Sequence, residues 1–163
     1  MAAFMKSVKP GLFWRLGIVY VLLLLMVLLG IDIYVVQALR REYLHTGFAE
    51  LDSLAHLMQS HPPQTDDPAA LREWTEWMAR SGARVTVVAS NGTVLSDSEG
   101  DLSRMENHLG RPEISAAFAY GEGRAVRYSD TLAHDLVYLA VRHQPATGPP
   151  IVIRLSLPLE RLD

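Results

Sequence analysis

Four residues in the C-terminal half have the types that an anion site needs. Arg127, Ser129 and Tyr138, with Arg111 upstream, offer guanidinium forks, a hydroxyl and a phenol, donors that can hold a carboxylate or phosphate. The arginines also have a structural use. Pairing Arg127 or Arg111 with Asp97 or Glu106 would tie the loop around Met105 to a neighbouring sheet, and the proximity of several acids favours this tie over a pocket. Asp97, Glu99, Asp101, Glu106 and His108 could in principle hold a divalent cation. Their spacing is not that of a calcium loop, and Asp101 and Ser103 have capping positions available, so no metal site is expected. Ser129 and His134 lack the G-x-S-x-G setting that exposes a nucleophile, so no catalytic residue is expected.

The elements that position these residues begin with an apolar run, Leu16 to Ile31, free of charge and extendable to Phe13 and Val36. A helix over 13–36 would measure about 36 Å at about 1.5 Å per residue, enough to cross a hydrocarbon core of about 30 Å with some tilt. Arg15 and Asp32 then fall near the two interfaces. Lys6, Lys9 and Arg15 place the tail 1–12 in the cytoplasm, a signal that Arg40 and Arg41 weaken. Val36-Gln37-Ala38 resembles a cleavage site, but the apolar run is longer than a signal-peptide core, so an uncleaved single-pass anchor in the cytoplasmic membrane is favoured. On either reading, Arg40 onward lies outside the cytoplasm.

The sequence has 163 residues, no cysteine and a formal charge of -3. Beyond the anchor there is chain for one compact domain, held without disulfides or thiolate sites. There is no basic cluster interleaved with aromatics, which argues against nucleic acid as a partner.

In order, 37–59 keeps a helical rhythm through Leu44, Phe48, Leu51, Leu54 or Ala55, and Met58, so the membrane helix should continue as a stalk. That stripe suits either its own domain or a homodimer seam. His61-Pro62-Pro63 ends the helix. Asp67 and Pro68 read as N-cap and first turn of a second helix whose apolar face is Leu71, Trp74, Trp77 and Met78, closed by Gly82. Arg84–Ala89 and Thr93–Ser96 flank Asn91-Gly92, a type I′ hairpin signal. Ser103 and Glu106 fit the capping box of a short helix. Pro112 and Glu113 open another helix, with Glu113 placed favourably for the dipole, that runs to about Tyr120. Three strands follow. Gly123–Tyr128 leads through a turn at 129–134 to Asp135–Arg142, apolar on both faces and hence central, and then to Ile151–Leu157, half-buried with Arg154 and Ser156 on its open face. The expectation is an α+β domain with a five-stranded antiparallel sheet. The segment 158–163 reads as the lead-in to a further helix, as in a fragment of a longer protein.

The order of elements and a series of short motifs resemble the extracytoplasmic sensor regions of bacterial two-component histidine kinases, of the phosphate-regulon type. The positions that carry the resemblance are Asp97, Ser98, Met105, Glu106, Asn107, His108, Arg111, Pro112, Glu113, Ile114, Arg127, Ser129, Thr131, Leu132, Asp135, Tyr138 and Ala140. It spans most of 37–157 and implies a PAS-like, single-Cache-like sensor domain between two membrane helices of a homodimer. The H-box and ATP-binding glycine motifs of such kinases do not occur in this sequence, so neither kinase activity nor a cofactor is expected here, and a response regulator would be met only through a cytoplasmic part. The favoured function is a membrane-anchored sensor module that signals by ligand- or partner-dependent movement of its stalk helices. The alternative is a stand-alone anchored binding or assembly protein of the cell envelope.

Overall fold

The computed structural model describes residues 10–129 and 134–159. The expected tail 1–12 therefore lies largely outside the described residues, as do Thr131 and Leu132 and most of the expected lead-in 158–163. The chain divides into two units, 1–42 and 43–163.

In the first unit, the apolar residues from Phe13 to Val36 all face outward in helix α1, which runs Pro10–Ser60. Among the described residues, α1 is the helix long and apolar enough to cross a membrane. Its apolar surface covers the helix all round, as lipid contact requires and a soluble surface helix avoids.

The second unit is a five-stranded antiparallel sheet with helices on both faces. Its elements are the last turns of α1, α2 (Pro68–Ala79), β1 (Arg84–Ala89), β2 (Val94–Asp97), a 3-10 turn at Leu102–Arg104, α3 (Pro112–Tyr120), β3 (Glu122–Ser129), β4 (His134–His143) and β5 (Ile151–Pro158). The strand order is β2-β1-β5-β4-β3. The expected α+β class and antiparallel sheet are what the chain forms.

Alternation along the strands assigns the two faces. Val85 and Val87 of β1, Val137 and Leu139 of β4, and Ile151, Ile153, Leu155 and Leu157 of β5 point to one side. There they meet Leu51, Ala55 and Met58 of α1 and Leu71 and Met78 of α2. The stripe that suited either a domain core or a dimer seam is thus occupied by its own domain, and full burial of Leu51 alone is worth about 2 kcal/mol. α2 opens as read, with the Asp67 carboxylate accepting from Ala69 N–H at 2.8 Å and Pro68 in the first turn. Of its two tryptophans, Trp74 packs on the core and donates Nε1–H to the His61 carbonyl at 2.7 Å. Trp77 does not belong to the core. It is 40% exposed, with its ring tilted by 51° against that of His61, because Thr75 takes the fully buried position on that face.

Three local expectations are corrected. The β1–β2 connection is a three-residue loop: Gly92 N–H bonds to Ala89 O at 2.8 Å, and Ala89 N–H bonds to Thr93 O at 2.9 Å. Gly92 sits at φ 84°, which makes this a turn followed by a left-handed residue rather than the two-residue type I′ turn. A side chain there would also run into Asn107 Oδ1. Second, the turn at Leu102–Arg104 is capped by Asp101, which accepts from Ser103 N–H and Oγ–H at 3.0 and 2.8 Å, so Ser103 is a donor to the cap and not the cap. Third, β5 is not half-buried. It is the middle strand, between β1 and β4, and Arg154 and Ser156 are each 5% exposed. β4, read as central, does have a strand on each side.

Candidate functional site: an arginine-lined cleft

The other face of the sheet is only partly covered by α3. Val88, Ala140 and Val152 pack beneath Ile114 and Ala117. Gly123 on β3 allows that close approach, since a side chain there would strike the Glu113 carbonyl on α3. Beyond α3 the same sheet face turns polar. Register places Thr86 opposite both Asp97 and Arg154, Ser156 opposite Tyr138, and Arg127 opposite Leu136, so polar side chains from all five strands converge beside α3.

Glu113 is the buried acid of this group, with no exposed surface. One oxygen, Oε1, accepts from Arg127 Nη2 at 3.0 Å and lies 3.5 Å from Arg154 Nη1. The two arginines also flank one ring: the Arg127 guanidinium lies 4.3 Å and that of Arg154 5.3 Å from the Tyr138 centroid. The quadrupole of the ring attracts both cations, and desolvation strengthens the attraction. Arg154 Nη2 donates to Thr86 Oγ1 at 3.1 Å, and the Thr86 hydroxyl donates in turn to Asp97 Oδ2 at 2.7 Å. Asp97 also accepts from Arg84 Nε at 3.1 Å and from the amides of Glu99 and Gly100 at 3.0 and 2.8 Å. Burial pushes the Asp97 carboxyl up, but its bonds to Thr86, the Glu99 amide and Arg84 outweigh this and hold it below the usual carboxylate value.

Among the described residues, the expected tie of the Met105 loop to the sheet, Arg127 or Arg111 with Asp97 or Glu106, is not the pairing that forms. Arg127 pairs with Glu113, and Arg84 pairs with Asp97. Arg111, offered as a partner for either acid, is the N-cap of α3 and lines the cleft, while Pro112 fills the first helical turn. Glu113 does lie in the first turn of α3, but its role is to hold two arginines in the interior rather than to face solvent near the helix dipole.

A loop roofs the network. The Asn107 amide donates to the Asn91 carbonyl at 2.8 Å, its Oδ1 accepts from Leu109 N–H at 2.9 Å, and His108 N–H bonds to the Gly92 carbonyl at 2.8 Å. His108 is buried, with Nδ1 2.8 Å from the Glu106 carbonyl. A carbonyl only accepts, so the neutral ring carries its proton on Nδ1, which leaves Nε2 as an acceptor. Burial pushes the His108 pKa down, and Arg154 and Arg111 push it the same way against the Glu106 carbonyl and Asp97. Met105 and Glu106 complete the rim.

Between roof and sheet lies an open cleft of about 580 Å³, lined by Arg84, Arg104, Met105, Glu106, His108, Arg111, Arg127, Tyr128, Tyr138 and Arg154. It brings together three of the four expected ligand residues, Arg111, Arg127 and Tyr138. Of the fourth, Ser129, only the backbone is described, paired with His134 at the end of the β3–β4 ladder. Asp135 lies one pair inward, opposite Tyr128. Among the described residues, no three His, Asp or Glu side chains converge as metal ligands would. Arg84, Arg104 and Arg154 were not read as site residues from the sequence. The available signal was Arg154 itself, a charge in an apolar strand, which demands a buried acid if that strand is central.

No protein-family model matches the chain, and no curated protein does. Among solved structures, it is similar to the sensor domain of the zinc-responsive histidine kinase CzcS from Pseudomonas aeruginosa. The identity is 18%, over 68% of this chain and 90% of that one, with a TM-score of 0.33, a level that carries no argument about function.

Proposed function

We propose that this chain is the membrane-anchored, extracytoplasmic sensor module of a two-component histidine kinase, with a PAS-like domain of the phosphate-regulon type. The observation that carries the reading is that one helix, α1, contains both the apolar stretch from Phe13 to Val36 and the residues Leu51, Ala55 and Met58 of the domain core. A rearrangement of the core has a stiff element through which to act, since packed interiors shift between discrete arrangements rather than deform smoothly. The ordered motif series from Asp97 to Ala140 supports the same reading, because eight of its described members build one feature. Asp97, Glu113, Arg127 and Tyr138 form the charged network, Asn107 and His108 fasten the roof, and Arg111 and Pro112 start α3.

In this reading the homodimer forms through surfaces other than the α1 stripe that the domain core occupies, and phosphoryl transfer to a response regulator belongs to a cytoplasmic part. A ligand or envelope partner signals only by binding one arrangement of the stalk helices better than the other. The test is the reading frame beyond the codon for Asp163. A second apolar span followed by a histidine-kinase catalytic region is the expected result. A frame that closes without one overturns the proposal in favour of a stand-alone envelope protein.

A further inference from the structure

The cleft carries more positive charge than its own acids balance. Five guanidinium groups line it, from Arg84, Arg104, Arg111, Arg127 and Arg154. Asp97 meets Arg84, and Glu113 is shared by Arg127 and Arg154. Among the described residues, Arg104 and Arg111 meet no carboxylate, and Glu106 is the one acid on the cleft lining. The floor is itself cationic, because two guanidiniums share one carboxylate oxygen. Their Nε–H groups are buried and, among the described residues, find no acceptor. The titrating groups around the cleft sense this field. Burial depresses Arg154, and Arg84 and Arg127 depress it further against Glu113 and Tyr138.

A concave site with an excess of guanidinium forks, two of them on the roof and paired with no described acid, matches the geometry of a carboxylate or phosphate better than that of a neutral or cationic ligand. The volume of about 580 Å³ lies in the range of small-molecule sites. We propose that the cleft binds a small phosphate- or carboxylate-bearing anion, gripped by Arg104 and Arg111 from the roof and by Arg84 and Arg127 from the sheet. Binding stands apart from the sensor reading; only its consequence, a signal passed to α1, rests on that reading. A free anion and an anionic lipid headgroup present the same chemistry, and the test separates them.

The full chain is placed in discs of zwitterionic phosphatidylcholine and titrated with inorganic phosphate, pyrophosphate and citrate at constant ionic strength, with chloride as the control. At least one of the three should bind one-to-one and saturate, raising the melting temperature by about 3 °C or more near saturation. R104Q/R111Q should weaken binding at least tenfold, while R104K/R111K, which keeps the charge but loses the fork, should fall between that variant and the unaltered protein. Arg104 is exposed, and neither position pairs with a described acid, so both variants should fold. As a check on unaltered protein, the bound anion should protect Arg104 and Arg111 from phenylglyoxal. Stabilisation that appears only in discs containing phosphatidylglycerol, and is lost in R104Q/R111Q, supports the same site with a lipid as its occupant. Equal melting temperatures in all anions and in both kinds of disc, or undiminished binding by R104Q/R111Q, would overturn the site. The reading frame downstream of Asp163 is untouched by that result, so the two proposals fail separately.

Discussion

Replacing Glu113 by glutamine removes one charge and little shape, and it isolates what that charge does for the fold. Arg154 is 5% exposed and has Glu113 Oε1 as its nearest acid, at 3.5 Å. Arg127 holds the same oxygen at 3.0 Å, but its side chain is 27% exposed, so water replaces much of what it loses. The cost therefore falls mainly on Arg154, left as a buried cation whose remaining neighbours are Thr86 and the Tyr138 ring. Removing one partner of a buried pair costs about 3–5 kcal/mol; the amide oxygen that remains can still accept, so Glu113→Gln should cost about 3 kcal/mol. For a domain of this size that corresponds to a melting temperature lower by about 10 °C. Urea unfolding of the full chain in detergent, followed by tryptophan fluorescence, measures it. Replacing Arg154 by methionine as well should return at least about 2 kcal/mol relative to the sum of the single changes, because no uncompensated charge is then left. A loss below about 1 kcal/mol for Glu113→Gln, or strictly additive single changes, would refute the reasoning.

Three further expectations rest on individual contacts. Gly92→Ala combines a φ of 84° with a collision against Asn107 Oδ1, so it should cost about 2–3 kcal/mol and loosen the roof, visible as faster amide exchange at Leu109. Asp67→Ala removes the α2 cap and should cost about 1 kcal/mol by the same unfolding assay. Acidification should destabilise the domain in two windows. His108 and His143 are both held below 6.5 first by burial, so the unfolded chain takes up protons that the fold refuses. Stability is full above that value and declines as pH falls from it towards the lower folded pKa. Asp97 is held below 3.8, so its contribution persists above that value and is lost as pH falls further. His108→Gln should flatten the first decline, leaving the share due to His143, in melting temperatures measured from pH 8 to 3.

What could be read from the chain before its fold was local. Asp67 with Pro68, Pro112 with Glu113, and the β-branched Arg84–Ala89 run act through neighbours a few residues away, and the corresponding elements form where those signals lie. The errors came from distance. Arg154 and Ser156 alternate with apolar residues, as on a half-open strand, but pairing β5 with β1 on one side and β4 on the other closes that face. The partner of Arg127 could not be chosen from proximity in sequence, because Glu113 reaches it only when α3 folds back on β3 at Gly123. Trp77 shows the limit of helical periodicity: its stripe was right, but Thr75 rather than the indole fits closest to the sheet. Arg104, exposed in a 3-10 turn, gave no signal beyond its charge until the roof placed it at the cleft.

The most direct test of the account uses the absence of native cysteine. A single cysteine is introduced at the exposed Ser90 in the β1–β2 loop, or at Ser7 before the apolar stretch, and intact cells are treated with a membrane-impermeant maleimide. The account predicts that Ser90→Cys is labelled without permeabilisation and Ser7→Cys only after it. Protection of Ser90→Cys in intact cells, with labelling once they are opened, would place the arginine-lined cleft in the cytoplasm and contradict the proposal of an extracytoplasmic sensor.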